Sequence, residues 1–157
     1  MSVAFRRESD EEHKEPRFEL PLPPGPNLVT ERGLAMMRER VAQFTAAVDA
    51  APDDDTRAAA KRDLRYWQTR ETSAQIAQIP APGEVAFGTR VTFRLNGQTR
   101  TLDLVGADEA DPEAGRITFT APLAQAMLEA VVGETVAFNG KPDAIEILDA
   151  QPIPKDA

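Results

Sequence analysis

Four aspartates crowd one short stretch of this chain and are its best-placed candidates for chemistry. Asp49 precedes Ala50-Ala51-Pro52, and Asp53, Asp54 and Asp55 follow. Carboxylates at that density suit a hard divalent cation, because Mg²⁺ takes oxygen ligands at about 2.1 Å. They also suit a plainer role: an aspartate ahead of a helix caps its first amides, and its neighbours complement the macrodipole. Only one of them can be the cap, so that role leaves others unexplained. A second acidic group, Asp108, Glu109 and Asp111, lies in the polar loop between Gly106 and Gly115. Turn hydrogen bonds explain such residues, and so does docking on a basic partner, where charge supplies on-rate and orientation. A third group is basic. Arg57, Lys61 and Arg65 recur every four residues, flanked by Arg62, which places them on one helical face. A solvated face and a surface for RNA phosphates both fit that pattern. Tyr66-Trp67 beside it offers a stacking surface, although Trp67 also falls on an apolar seam.

Composition narrows the rest. The chain has no cysteine and a single histidine, His13, which sits in a charged leader. Disulfides and thiolate metal sites are excluded, and imidazole catalysis is disfavoured. No apolar run approaches the ~18 residues of a membrane span, and the first residues lack the apolar stretch of a secretory signal. The cytoplasm is the expected location. Of the net charge of −8, residues 80–157 hold most, with 12 acidic against 6 basic side chains. Such a segment repels phosphate backbones and prefers a basic protein surface, which argues against autonomous binding to duplex DNA.

These groups need elements to position them. Residues 1–27 mix charge with prolines at 16, 21, 23, 24 and 26 and are expected to stay extended or disordered. A helix is predicted from an N-cap at Thr30 to near Ala50, with Leu34, Met37, Val41, Phe44 and Val48 forming a heptad seam. A second helix is predicted from about Thr56 to Gln78, with Ala60, Leu64, Trp67 and Ala74 on its seam and Glu71 interrupting it. Two helices joined by a short turn pack antiparallel, so residues 28–79 form a helical hairpin. From residue 80 to 150 the pattern turns to strands: Val85–Phe87, Val91–Leu95, Thr99–Val105, Arg116–Thr120, Val132–Phe138 and Ala144–Leu148. Asn96-Gly97 marks a hairpin, and Pro122 opens a short helix to about Ala130. The fold class is α+β, an antiparallel sheet with one short helix behind the helical hairpin. Residues 151–157 read as a tail.

The second half resembles the C-terminal domain of the Gre family of transcription elongation factors. The matching runs are Val85-Ala-Phe-Gly88, Val105-Gly-Ala-Asp-Glu-Ala-Asp111, Ile117-Thr118, Ala121-Pro-Leu-Ala-Gln-Ala-Met-Leu128 and Val132-Gly-Glu-Thr-Val136, in that order. Upstream, Thr30-Glu-Arg-Gly33 is similar to the opening of the family's first arm helix. The resemblance implies an FKBP-like domain that docks on bacterial RNA polymerase at the rim of its secondary channel, with the hairpin entering the channel. It implies docking through Asp108, Glu109, Asp111, Pro122 and Leu123, and contact of the arm's basic face with nascent RNA. In cleaving members, tip carboxylates help hold a catalytic Mg²⁺ of the polymerase, which lets water attack backtracked RNA. The factor is then no enzyme and has no metal or cofactor of its own. A monomer is expected.

Three departures bear on that chemistry. Motif spacing makes the arm about ten residues per helix shorter than in cleaving members, which would leave the tip roughly 15 Å short at 1.5 Å per residue. The family's pair of tip acids is not evident among Asp49, Asp53, Asp54 and Asp55. Ala121 stands in place of a serine, and Gln125 where a basic residue is usual. A non-cleaving modulator of the polymerase is therefore expected, with an active cleavage factor as the alternative. The FKBP-like domain also raises peptidyl-prolyl isomerisation, but the four phenylalanines from Phe87 onward lie on expected strands rather than in a pocket. A general protein-interaction module is the remaining class.

Overall fold

The computed structural model describes residues 19–155, so most of the leader expected to be extended lies outside the described residues. Contacts divide the chain into two compact units. One contains residues 37–73, and the other contains Gly25–Met36 together with the chain from Ala74 onward.

The first unit is a helical hairpin. Helix α1 runs Glu31–Ala50 and α2 runs Asp54–Ser73, each 20 residues and so about 30 Å long. Their pairing is antiparallel: Arg38 meets Glu71 at 3.5 Å, and the Arg40 guanidinium lies 5.9 Å from the centroid of the Trp67 ring. Val41, Phe44 and Val48 are half-buried and Ala60 is buried, along the line of the seam. Glu71, which breaks the apolar pattern, is accommodated by Arg38. The second helix differs from expectation at both ends. It starts two residues early because Asp53, not a later residue, caps it. It stops at Ser73, and Gln75–Ile76 becomes a strand instead.

That strand, β2, pairs in parallel with β1, Leu28–Val29. Gln75 and Ala77 donate their amides to the carbonyls of Asn27 and Val29 at 2.8 and 3.1 Å. Asn27 is buried, so the ordered chain begins before the expected position 28.

The main sheet has five strands in the order β5-β4-β3-β7-β6. They are β3 (Thr89–Leu95), β4 (Gln98–Val105), β5 (Arg116–Thr118), β6 (Thr135–Phe138) and β7 (Lys141–Pro152). Asn96 and Gly97 join β3 to β4 with φ of 53° and 75°, the left-handed pair that a two-residue hairpin turn needs. The sheet is mixed rather than wholly antiparallel, since β5 runs parallel to β4. The connection from β4 to β5 is too long for a hairpin turn and contains a 3-10 turn at Pro112–Ala114. Val85–Phe87 is not a strand. Val85 donates its amide to Ala130 and accepts from Glu129, and this anchors its buried side chain without a ladder. Strand β7 reaches Pro152, into the expected tail, and Ile153 then donates to the Gly88 carbonyl at 2.9 Å.

One face of the sheet carries the core. Val91 and Phe93 of β3, Leu102 and Leu104 of β4, and Ile145 and Ile147 of β7 alternate inward and pack with Ala124 and Met127 of helix α3, Pro122–Met127. Each such side chain contributes about 1.5–3 kcal/mol by leaving water. The other face is polar: Arg90 grips Asp103 at 2.8 and 3.1 Å, Thr92 meets Thr101, and Arg94 pairs with Glu146.

Candidate polymerase-docking and arm-tip residues

The acidic loop gives the first surprise. Glu109 is only 7% exposed. Its Oε1 accepts the Thr30 hydroxyl at 2.6 Å, and its Oε2 accepts from the Arg32 guanidinium at 3.1 Å. Thr30 is also the N-cap of α1, accepting the Gly33 amide at 3.0 Å. A carboxylate thus rests on the positive end of a helix, where unpaired amides and the macrodipole favour it. Two glycines make room. A Cβ on Gly33 would lie 2.8 Å from Oε1, and one on Gly106 would lie 2.4 Å from the Leu28 carbonyl oxygen. Glu109 is thus bonded to the start of α1 inside the molecule. Asp111 is exposed, while its backbone pairs with Arg116. Asp108 is half-buried and engaged in a contact of its own.

Pro122 is exposed at the first position of α3, and Leu123 packs its half-buried side chain against the core. With alanine at position 121, the helix has no side-chain cap, and its proline supplies the start. The Gln125 side-chain amide donates instead to the Phe119 carbonyl at 2.8 Å. Leu128 also packs on the core.

At the hairpin turn, Asp53 accepts the Thr56 amide at 2.7 Å. That bond, then the Thr56 hydroxyl and the Arg57 charge, holds its carboxyl below the usual 3.8. Asp54 pairs with Arg57 at 3.2 Å. Asp49 and Asp55 are exposed. Among the described residues no cluster of three carboxylate or imidazole side chains is arranged to hold a metal. The turn is an acidic surface.

The basic face is largely occupied locally. Arg57 also donates to the Ala51 carbonyl, Arg65 grips Glu19 at 2.7 Å, and Arg62 turns its Nε inward to a position with no acceptor among the described residues. Lys61 is exposed. Tyr66 and Trp67 meet edge to face at 5.1 Å.

Residues 80–151 match the family model described as "Transcription elongation factor, GreA/GreB, C-term". Over these residues the chain is similar to GreA/GreB C-terminal domains. The GreA of Leuconostoc mesenteroides is 42% identical over 74 residues, which cover 44% of this chain and 46% of that protein. The GreA of Thermomicrobium roseum is 34% identical over 97 residues, covering 60% and 61%. The aligned stretch is thus about half the length of these relatives. Among solved structures, the GreA factor homolog 1 (Gfh1) of Thermus thermophilus aligns with 79% of this chain and 97% of its own, at 17% identity and a TM-score of 0.38. A GreA/GreB factor from Nitrosomonas europaea aligns with 79% and 98%, at 19% identity and a TM-score of 0.38. Glu109 is the residue whose contact with the start of α1 sequence reasoning missed. The signal was present as two separate runs, Thr30-Glu-Arg-Gly33 and Glu109-Ala-Asp111, whose mutual contact the sequence does not state.

Proposed function

We propose that this chain is an RNA polymerase-binding elongation factor that acts through the secondary channel and modulates the enzyme without promoting transcript cleavage. The observation that carries this is the order of parts: an antiparallel hairpin with an acid-lined turn, followed by a Gre-type C-terminal domain. Asp111, Pro122 and Leu123 are the docking residues, with the apolar and acidic character that a basic, partly apolar rim would meet. The absence of cleavage rests on length and on donor supply. Helices of 20 residues fall about ten residues short of the arm expected for a cleaving member, and a gap of roughly 15 Å is far beyond a metal–oxygen bond. Asp53 is committed to its cap.

The test is to add the protein to stalled, backtracked polymerase with Mg²⁺ and follow both binding and transcript length. Saturable binding with unshortened RNA is the expected result. Shortening that is lost in the Asp53/Asp54/Asp55→Ala variant would turn the reading to a cleavage factor. Absence of binding would remove both.

A further inference from the structure

The second unit contains a cavity of about 420 Å³ that neither docking nor the arm explains. Two extended segments form its walls. Ile76, Ile79 and Pro80 line one, and Pro152, Ile153 and Pro154 the other. Ile76 is 56% exposed and Ile79 is 72% exposed, the largest value among the big apolar side chains of the described residues. An unpaired backbone edge flanked by apolar side chains is a template for pairing with another chain.

The backbone says what form the occupant takes. In the parallel β1–β2 pair, Gln75 and Ala77 give their amides to β1, so the amides of Ile76 and Gln78 point to the opposite edge. Neither has a partner among the described residues. Protein edges are usually blunted by lysine or proline, and this one instead carries isoleucines. The facing wall has no spare amide for the carbonyls of that edge either, because Pro152 and Pro154 have no amide hydrogen and the Ile153 amide is already given to Gly88. Pro80 stops the edge from extending further along its own chain.

Charge says what the occupant carries. Arg32, Arg116, Lys155, Glu31, Asp103 and Glu109 line the cavity. Glu109 is matched by Arg32 and Asp103 by Arg90, which leaves Arg116 and Lys155 against Glu31. With Arg90 counted beside Asp103, cations exceed carboxylates here by one, on a chain of net charge −8.

We infer that the open edge at Ile76–Gln78 and the cavity beside it bind an extended, apolar segment of a partner protein that bears a carboxylate, by adding a strand to β2. The main chain of the segment pairs with Ile76 and Gln78, alternate side chains enter between Ile79 and Ile153, and the carboxylate reaches Arg116 and Lys155. The cavity lining includes neither Pro122 nor Leu123, although Arg116 shares backbone bonds with Asp111; a strand-adding partner is a different occupant, so the inference goes beyond the proposed function.

The test uses the full ¹⁵N-labelled chain without polymerase and, as probe, the peptide acetyl-Thr-Val-Thr-Val-Thr-Val-Asp with a free C-terminal carboxylate. Saturable amide shifts centred on Ile76–Gln78, with slowed hydrogen exchange at those two amides, are expected. Methylating the backbone nitrogens of one alternate set of peptide residues should weaken binding at least tenfold, and methylating the other set should not. Ile79→Asp and Lys155→Glu, both at exposed positions that leave the fold intact, should each weaken it several-fold, whereas Val131→Asp should not. Absence of saturable shifts there, equal tolerance of both methylation patterns, or binding unchanged by Ile79→Asp and Lys155→Glu would overturn the inference. Because no polymerase is present, failure here leaves the transcription reading standing, and the converse also holds.

Discussion

The two acidic groups of this chain are alike in composition and opposite in use. Around the hairpin turn, the carboxylates of Asp49, Asp54 and Asp55 face water, and only Asp53 has a structural duty. In the loop after β4, Glu109 is buried and bonded by a threonine and an arginine that come 79 and 77 positions earlier. The difference is not in the acids. It lies in what surrounds them: a helix start aimed at the loop, and glycines that let two backbones close together. An acidic run therefore carries no function until its neighbours in space are known.

The largest loss is expected at Glu109. Glu109→Ala leaves the Thr30 hydroxyl and the Arg32 guanidinium without their shared acceptor. Loss of charge-assisted bonds at a buried position should cost about 2–3 kcal/mol in urea unfolding. The Asp54/Asp55→Ala pair at the turn should shift the same curve far less, since exposed carboxylates contribute little. If the two variants fall equally, the contrast between the regions fails. Next comes Gly106→Ala. The added methyl would meet the Leu28 carbonyl oxygen at 2.4 Å, so backbone must move, at a cost of about 1–3 kcal/mol. Amide exchange should then quicken at Gln75 and Ala77, which depend on β1. Unchanged exchange and stability would mean that the close approach is not needed.

The smallest effect sharpens the other side. The carboxyl of Asp53 is held below its usual 3.8, chiefly by the Thr56 amide. A group lowered in the folded state stabilises above its unfolded value and loses that contribution as pH falls through the folded one. Wild type should therefore exceed Asp53→Ala in thermal midpoint at neutral pH, and the gap should shrink on acidification below about pH 4. A gap that stays constant from pH 7 to pH 2 would show that the cap is not electrostatic.

Much of the architecture was legible because local signals carry it. The seam from Leu34 to Val48 needs only a helical period, and Asn96-Gly97 needs only a two-residue turn. What was not legible depends on distant partners. Gln75–Ile76 continues the polar and alanine-rich composition of α2, and it becomes a strand only because Leu28–Val29 lies beside it. Val85–Phe87 has a strand's alternation, but its hydrogen bonds go to Ala130 and Glu129 instead of a ladder. The site followed the same rule. Pro122 at a helix start was readable from one residue, while the burial of Glu109 required Thr30, Arg32, Gly33 and Gly106 to be brought together.

Trp67 and Tyr66, the chain's sole tryptophan and sole tyrosine, both sit on α2 in the hairpin, whereas the sheet's rings are phenylalanines alone. Emission excited at 295 nm is thus an optical reporter of one unit only, while far-ultraviolet dichroism sees both. Superimposing the two melting curves would reveal, without any label, whether the hairpin and the sheet lose their order in one cooperative event or in two.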